Sequence, residues 1–365
     1  MKIGGVSRSA YELLCTLLAL LPNQNQRKLF QIQLRGFLRG NKQVRPRHAT
    51  LSSPAAASRF YNHAQWNTRA LMKAVQQNIL QQLFKAYSRK KGRKPSLDVV
   101  VDLTTLRKEG QFKGLPVSCL NGKYGLHLVV VYLLIGNARF PWSFAIWKGK
   151  GMASESKLAV AMIKSLCRRL QGRFQIKVMA DSGFDNQYFL RPLSQLGLTV
   201  LVATKGDRKV GEKKVKELFY NGSWVKLNTP ELQVTVAWFE RRYPTGKTER
   251  RYVLCNQPVS ARTLIQWGRR RWAIETFFKT AKGRFGLDQF GQRTLRGLIR
   301  FLFLSLLAWI LSFLVSEQPE QLEDWGDRAV RVTRVLLHWV LVAEFLMLQD
   351  QLFSPSRLYV LSVAG

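Results

Sequence analysis

The chain has 365 residues, 46% hydrophobic and 11% aromatic, so it can bury a full core and is not a disordered polymer. Its 58 Lys and Arg against 22 Asp and Glu leave a net charge of +36. Such a field repels itself unless a polyanion neutralises it; nucleic acid is the first partner to consider and an anionic membrane the second. Cys15, Cys119, Cys167 and Cys255 form no C-x-x-C pair and there are only four His, which argues against a zinc knuckle, a disulfide framework or a His-rich metal site. The expectation is a reduced, intracellular protein.

In chain order, residues 1–94 carry helical signals over Tyr11–Leu21, Gln26–Leu38 and Ala55–Tyr87. Leu13–Leu21 follows Lys2 and Arg8 as in a signal peptide, but no small-residue cleavage pattern follows, so it reads as a buried helix. The third helix starts at Ser52-Ser53-Pro54, a good cap and first turn. Its SRFYNHAQWN stretch places Arg59 among Phe60, Tyr61 and Trp66, which suits a helix on DNA as well as an amphipathic helix with inward aromatics. SRKKGRKP (88–95), with Arg89, Lys90 and Lys91, is a cationic linker and the first domain boundary.

From Leu97 the period changes. LDVVVDLTTL reads as a buried strand ending near Asp102, followed by strands Lys123–Gly136 and Ala138–Gly149. Next come a Ser-capped helix Ser154–Leu170, a strand within Phe174–Phe184 that stops at Asp181, a helix Asn186–Leu196 and a strand Leu198–Lys205. This βββαβαβ order predicts a mixed sheet carrying helices. Residues 206–256 read as short antiparallel strands, a small β insertion, and helix returns at Ala261. Residues 295–365 are helical and apolar. Phe301–Val315 spans about 22 Å as a helix, against the roughly 30 Å hydrocarbon core, and His338 and Glu344 interrupt Val335–Leu348. Core helices are expected rather than membrane spans.

Two apolar strands end at carboxylates, Asp102 and Asp181, where ligands commonly meet a sheet. A third acid, Glu275, stands alone in the basic stretch Trp267–Leu287. Helical spacing puts Arg271, Glu275 and Lys282 on one face. Singly, each acid has a plainer reading, as a turn cap or an ion-paired surface Glu. Together they are three oxygen ligands, a set that selects Mg²⁺ or Mn²⁺ over zinc. Two such ions suit phosphodiester transfer, and three like charges make sense mainly around metal. Asp98 starts the first strand toward its other rim and is discounted; Glu109, in a loop, is a weak alternative. Gly246-Lys247-Thr248 is no P-loop, because Arg241 stands where its first Gly belongs. Asp181-Ser182-Gly183 is no nucleophile elbow, and no H-E-x-x-H occurs.

VVVDLTTL, MADSGFD and RRRWAIETFFK resemble the three catalytic blocks of the DDE transposases of bacterial insertion sequences, in the insertion-sequence-four branch. Arg271, Glu275 and Lys282 match its Y-x2-R-x3-E-x6-K signature, while the signature's Tyr falls on Gly268 beside Trp267. The resemblance covers roughly residues 50–315.

It implies an α/β fold: an RNase H-like mixed sheet with an inserted small antiparallel β domain and a helical N-terminal region. The implied division is 1–95 (helical DNA-binding region and basic linker), 96–205 and 257–315 (catalytic core), 206–256 (β insertion) and 316–365 (C-terminal helical region). The implied function is binding of the terminal inverted repeats of its own element, with Mg²⁺-dependent strand cleavage and transfer. Asp102, Asp181 and Glu275 would be catalytic and hold two Mg²⁺ (or Mn²⁺) ions. Arg271, Lys282, Trp267, Lys279, Arg59, Arg89, Lys90 and Lys91 would meet double-stranded DNA at transposon ends and target. The protein would be a dimer in the DNA complex, off the membrane, and cytoplasmic at the bacterial nucleoid. A structure-selective nuclease of junction-resolvase type and an inactive DNA-binding protein are the alternatives.

Overall fold

Apolar residues recur with helical spacing at both ends of the chain and form near-continuous runs in the middle, and the architecture follows that division. The structure, a computed structural model, describes residues 2–3, 6–40, 52–87, 94–108, 110, 112–243, 245–315 and 325–337. Arg89, Lys90, Lys91, Glu109 and most of the 316–365 region lie outside the described residues.

A two-strand ribbon, β1 (Lys2–Ile3) and β2 (Val6–Ser7), precedes helices α1 (Arg8–Ala19), α2 (Gln24–Arg39), α3 (Pro54–Asn62) and α4 (Thr68–Tyr87). Then come β3 (Ser96–Arg107), β4 (Val117–Leu120), β5 (Lys123–Ile135), β6 (Ala138–Ile146), α5 (Glu155–Leu170), β7 (Gln175–Ala180), α6 (Gln187–Gln195) and β8 (Thr199–Thr204). Strands β9 (Lys209–Val210), β10 (Lys213–Lys214), β11 (Ser223–Leu227), β12 (Leu232–Arg242) and β13 (Thr248–Cys255) follow. The last helices are α7 (Ala261–Arg270), α8 (Ala273–Gly283), α9 (Leu295–Val315) and α10 (Trp325–Arg331). Helix starts are set by side-chain caps: Ser53 accepts from Ala56 N ahead of α3, Ser154 from Lys157 N ahead of α5, and Ser260 from Thr263 N ahead of α7.

The chain divides into two compact units, Met1–Asn78 with Thr280–Gly365, and Ile79–Lys279. The first is helical and centred on α9, which is buried at every residue from Phe301 to Val315. Phe37 and Tyr61 pack on Phe301 with ring centroids 4.9 and 6.1 Å away. Phe60, Tyr61 and Trp66 are all buried, so these aromatics pack inward; Arg59 is exposed. At 21 residues α9 is longer than the apolar run and long enough to cross a bilayer, but 94% of its most apolar window is covered by protein. Arg300, 2% exposed, donates to the carbonyls of Phe60, Tyr61, Ala64 and Trp66 and to Thr68 Oγ1, tying the α3–α4 connection to α9.

The second unit holds one mixed sheet of 11 strands in the order β10-β9-β11-β12-β13-β8-β7-β3-β5-β4, with β6 also on β5. Its middle is parallel, β3 with β7 and β7 with β8, and antiparallel strands lie to either side. β5 is buried from Gly125 to Ile135, which explains its unbroken apolar sequence. The strands of residues 206–256 join this same sheet through β13 on β8. β3 does not stop near Asp102: it runs on to Arg107 because β5 continues to pair it there, Arg107 opposite Gly125.

Candidate active site

Parallel register brings two acids together. Val101 of β3 pairs with Ala180 of β7, so the next residues, Asp102 and Asp181, stand side by side. Neighbouring strands lie about 4.8 Å apart and in-register side chains share a face, so both carboxylates emerge from one face of the sheet. Asp181 comes just after β7 and opens a 3-10 turn, Ser182–Phe184, accepting from Gly183 N at 3.0 Å. A Cβ at Gly183 would crowd Asp181 Oδ1 at 3.1 Å, so glycine leaves the carboxylate room. Asp102 accepts from its neighbour Leu103 N at 2.8 Å.

The helix carrying the third acid lies on that same face. Val100, on the Asp102 face of β3, is opposite Tyr132 of β5, and Phe277 of α8 stacks on Tyr132 at 4.8 Å. Glu275, in the first turn of α8, is held by Arg271 Nη2 at 2.9 Å from Oε1. Arg271 is the pivot of the site, because its charge is felt at both aspartates as well. Burial, and after it the neighbouring Asp181 charge, push Asp102 up to about 7 against the pull of Arg271 and the Leu103 N–H. Asp181 is also raised, mainly by burial, against the pull of the Gly183 N–H and Arg271. Glu275 contributes a raising charge to both.

Among the described residues, no three His, Cys, Asp or Glu side chains are gathered closely enough to hold a metal ion as a set. The donor set still fits a hard divalent cation. Two half-buried aspartates sit side by side with their acidity weakened mainly by burial, a cost that a cation relieves. Glu275 is drawn to Arg271 and would have to turn from it to become a ligand.

The other expected residues are distributed unevenly. Lys279 is exposed on α8, one turn beyond Glu275, and Lys282 follows on the same helix. Trp267 is half-buried on α7, and Lys177 Nζ covers its ring at 4.5 Å from the centroid. Position 268 has room for a side chain: a Cβ there meets only Val253 Cγ1, at 3.7 Å. Sequence reasoning missed three groups. Trp272 is 45% exposed next to Arg271, and Arg241 of β12 lies over its ring at 5.5 Å. Arg270 reaches down to Asp98. Asp185 is raised by burial, accepts from Thr204 Oγ1 at 2.5 Å and has Arg208 3.5 Å away, which ties the turn after Asp181 to β8. A second Asp in the DSGFD block was the available signal for the last of these.

Solved structures with some likeness include a cryo-EM structure of the piggyBac transposase synaptic complex with hairpin DNA, 11% identical over 96% of this chain and 79% of that one, TM-score 0.49. A crystal structure of the Mos1 strand transfer complex is 16% identical over 52% of this chain and 56% of that one, TM-score 0.19. Both likenesses are remote, and among curated proteins none matches significantly. The family model for the transposase DDE domain matches residues 93–311, which contain Asp102, Asp181 and Glu275 and make up more than half of the chain, and the protein therefore belongs to the DDE transposases.

Proposed function

We propose that this chain is a bacterial insertion-sequence transposase of the insertion-sequence-four branch, which binds the terminal inverted repeats of its own element, cuts the DNA and joins the freed 3′ end to target DNA. The observation that carries this reading is the side-by-side pair Asp102 and Asp181 with Arg271 linking them electrostatically to Glu275. On this reading β3, β5, β6, β7 and β8 are an RNase H-like core, β9–β13 its inserted β region, and the N-terminal helices with the cationic linker a DNA-binding region.

Asp102, Asp181 and Glu275 would hold Mg²⁺ or Mn²⁺, two ions in all. When bound, such ions lower the pKa of a water or 3′-hydroxyl and neutralise charge on the leaving oxygen. The protein's own part is to orient. The paired strands fix the aspartates, and the raised pKa of Asp102 lets it hold a proton up to about neutral pH. Arg271, shared between Glu275 and the aspartates, offers its guanidinium to a phosphate, and Lys279 and Lys282 extend that cationic surface along α8. The +36 charge supplies salt-sensitive, sequence-independent affinity for duplex DNA, and with it the protein would act at the nucleoid rather than on a membrane. Holding two ends at once calls for a dimer in the DNA complex.

The test is a plasmid carrying the DNA that flanks the reading frame, incubated with protein and Mg²⁺. Nicks at the element's ends are expected with the wild type and should vanish in each of D102A, D181A and E275A. Full nicking by D181A would sink the assignment.

A further inference from the structure

Asp98 lies four residues before Asp102 on the same face of β3 and is only 1% exposed. A carboxylate buried so completely persists only when paired. Lys177 Nζ stands 3.1 Å from Oδ1, and Arg270 Nε 2.8 Å from Oδ2. The first is the in-register neighbour on β7; the second is the last residue of α7, brought from a distant part of the chain. Lys177 also lies beneath Trp267, one turn back on α7, so that helix is held to the sheet at two points.

α7 also lies against β8, β12 and β13. Leu264 is its one buried residue, and apolar contact does not set a helix's rotation as a directional ion pair does. The placement of α8 depends on that rotation. Arg271 N bonds Gly268 O, Trp272 N bonds Arg269 O, and α8 begins at Ala273, so the turn is short and stiff. Arg271, directly after the anchored Arg270, is the residue that holds Glu275.

We propose that Asp98, paired with Lys177 and Arg270, is a positioning residue that sets the rotation of α7 and thereby holds Arg271 and Glu275 against Asp102 and Asp181. The catalytic part of this inference rests on the function proposed above. One ladder serves both tasks: the β3–β7 pair carries an ion pair at Asp98 and Lys177 and the aspartate pair four residues on. Arg270 is 45% exposed, so Arg270→Gln leaves no hole, and Lys177 remains to neutralise Asp98.

The experiment uses full-length protein labelled with 5-fluorotryptophan, the Trp272 signal being assigned with Trp272→Phe. In R270Q the ¹⁹F signal of Trp272 should shift or broaden while the melting temperature stays near that of the wild type. Nicking at saturating DNA should fall about a hundredfold, as for a small misplacement of catalytic groups, with half-saturation by DNA unchanged. R270K, which keeps the charge, should recover part of both. If R270Q does not fold, the isosteric Asp98→Asn is read the same way. An unmoved Trp272 signal, or a loss of DNA affinity with the rate intact, overturns the proposal. A wild type that nicks nothing, with the Trp272 signal still moved in R270Q, upholds the clamp and removes the transposase mechanism instead.

Discussion

Replacing Asp102 with Asn removes a carboxyl held at about 7, against 3.8 for a free aspartate, by burial and by the Asp181 charge. At 1.36 kcal/mol per pH unit, keeping that group ionised in the folded state costs roughly 4 kcal/mol. The side chain is part-exposed, and solvent screening reduces the figure to about 1–2 kcal/mol. The sign is set by proton binding. The folded value lies above the unfolded one, so the folded state holds the proton more tightly. The penalty is absent below about pH 4, grows between about pH 4 and 7, and is complete above that. Without divalent cations, D102N should therefore melt about 2–8 °C above the wild type at pH 8 and level with it at pH 4. Circular dichroism melts in EDTA at pH 4, 6 and 8 measure this. A gap that does not change with pH, or a D102N that melts lower at pH 8, would refute the electrostatic account of the site.

The same geometry carries three more expected outcomes. Mn²⁺ affinity, read by loss of the free-ion EPR signal, should rise roughly tenfold per pH unit up to about pH 7, because Asp102 must lose its proton; D102N should bind weakly with no such slope. Arg271→Gln deprives Glu275 of its partner and both aspartates of the cation that lowers them, so nicking should fall by about 10²–10³. The acid limb of its pH–rate profile should move upward, and an unmoved limb would remove Arg271 from the electrostatics. Arg300→Met strips hydrogen bonds from four carbonyls and Thr68 and should cost about 3–5 kcal/mol in urea unfolding, whereas the exposed Arg296→Met should stay within about 0.5 kcal/mol. Equal losses in the two would show that the buried network is not what holds the helical unit.

Much of the sheet was legible in its apolar runs. The predicted βββαβαβ order appears as β3, β5, β6, α5, β7, α6 and β8, apart from the short β4, because strands buried on both faces need unbroken apolar sequence. Asp102 was expected at a strand's end and lies mid-strand, since where a strand stops depends on how far its partner runs. The helical reading from residue 295 matches α9, of which the run Phe301–Val315 is the C-terminal part. Asp98 was discounted because it starts the strand, toward the rim away from Asp102. Its partners, one on the next strand and one about 170 residues away, carry no local signature.

The sequence by itself determined which segments are strands and which are helices, the excess of positive charge, and the three acids that match a transposase pattern. Those properties are written in periods of two or 3.6 residues and in composition, which local reading captures. Tertiary structure alone decided the register that sets Asp102 beside Asp181, the inward packing of Phe60, Tyr61 and Trp66, and the anchoring of Arg270 on Asp98. Each of these is a choice among pairings of similar local quality, and burial summed over many distant residues makes it. Glu275 is thus an acid among cations in the sequence, and in the fold it is the residue Arg271 holds beside two aspartates.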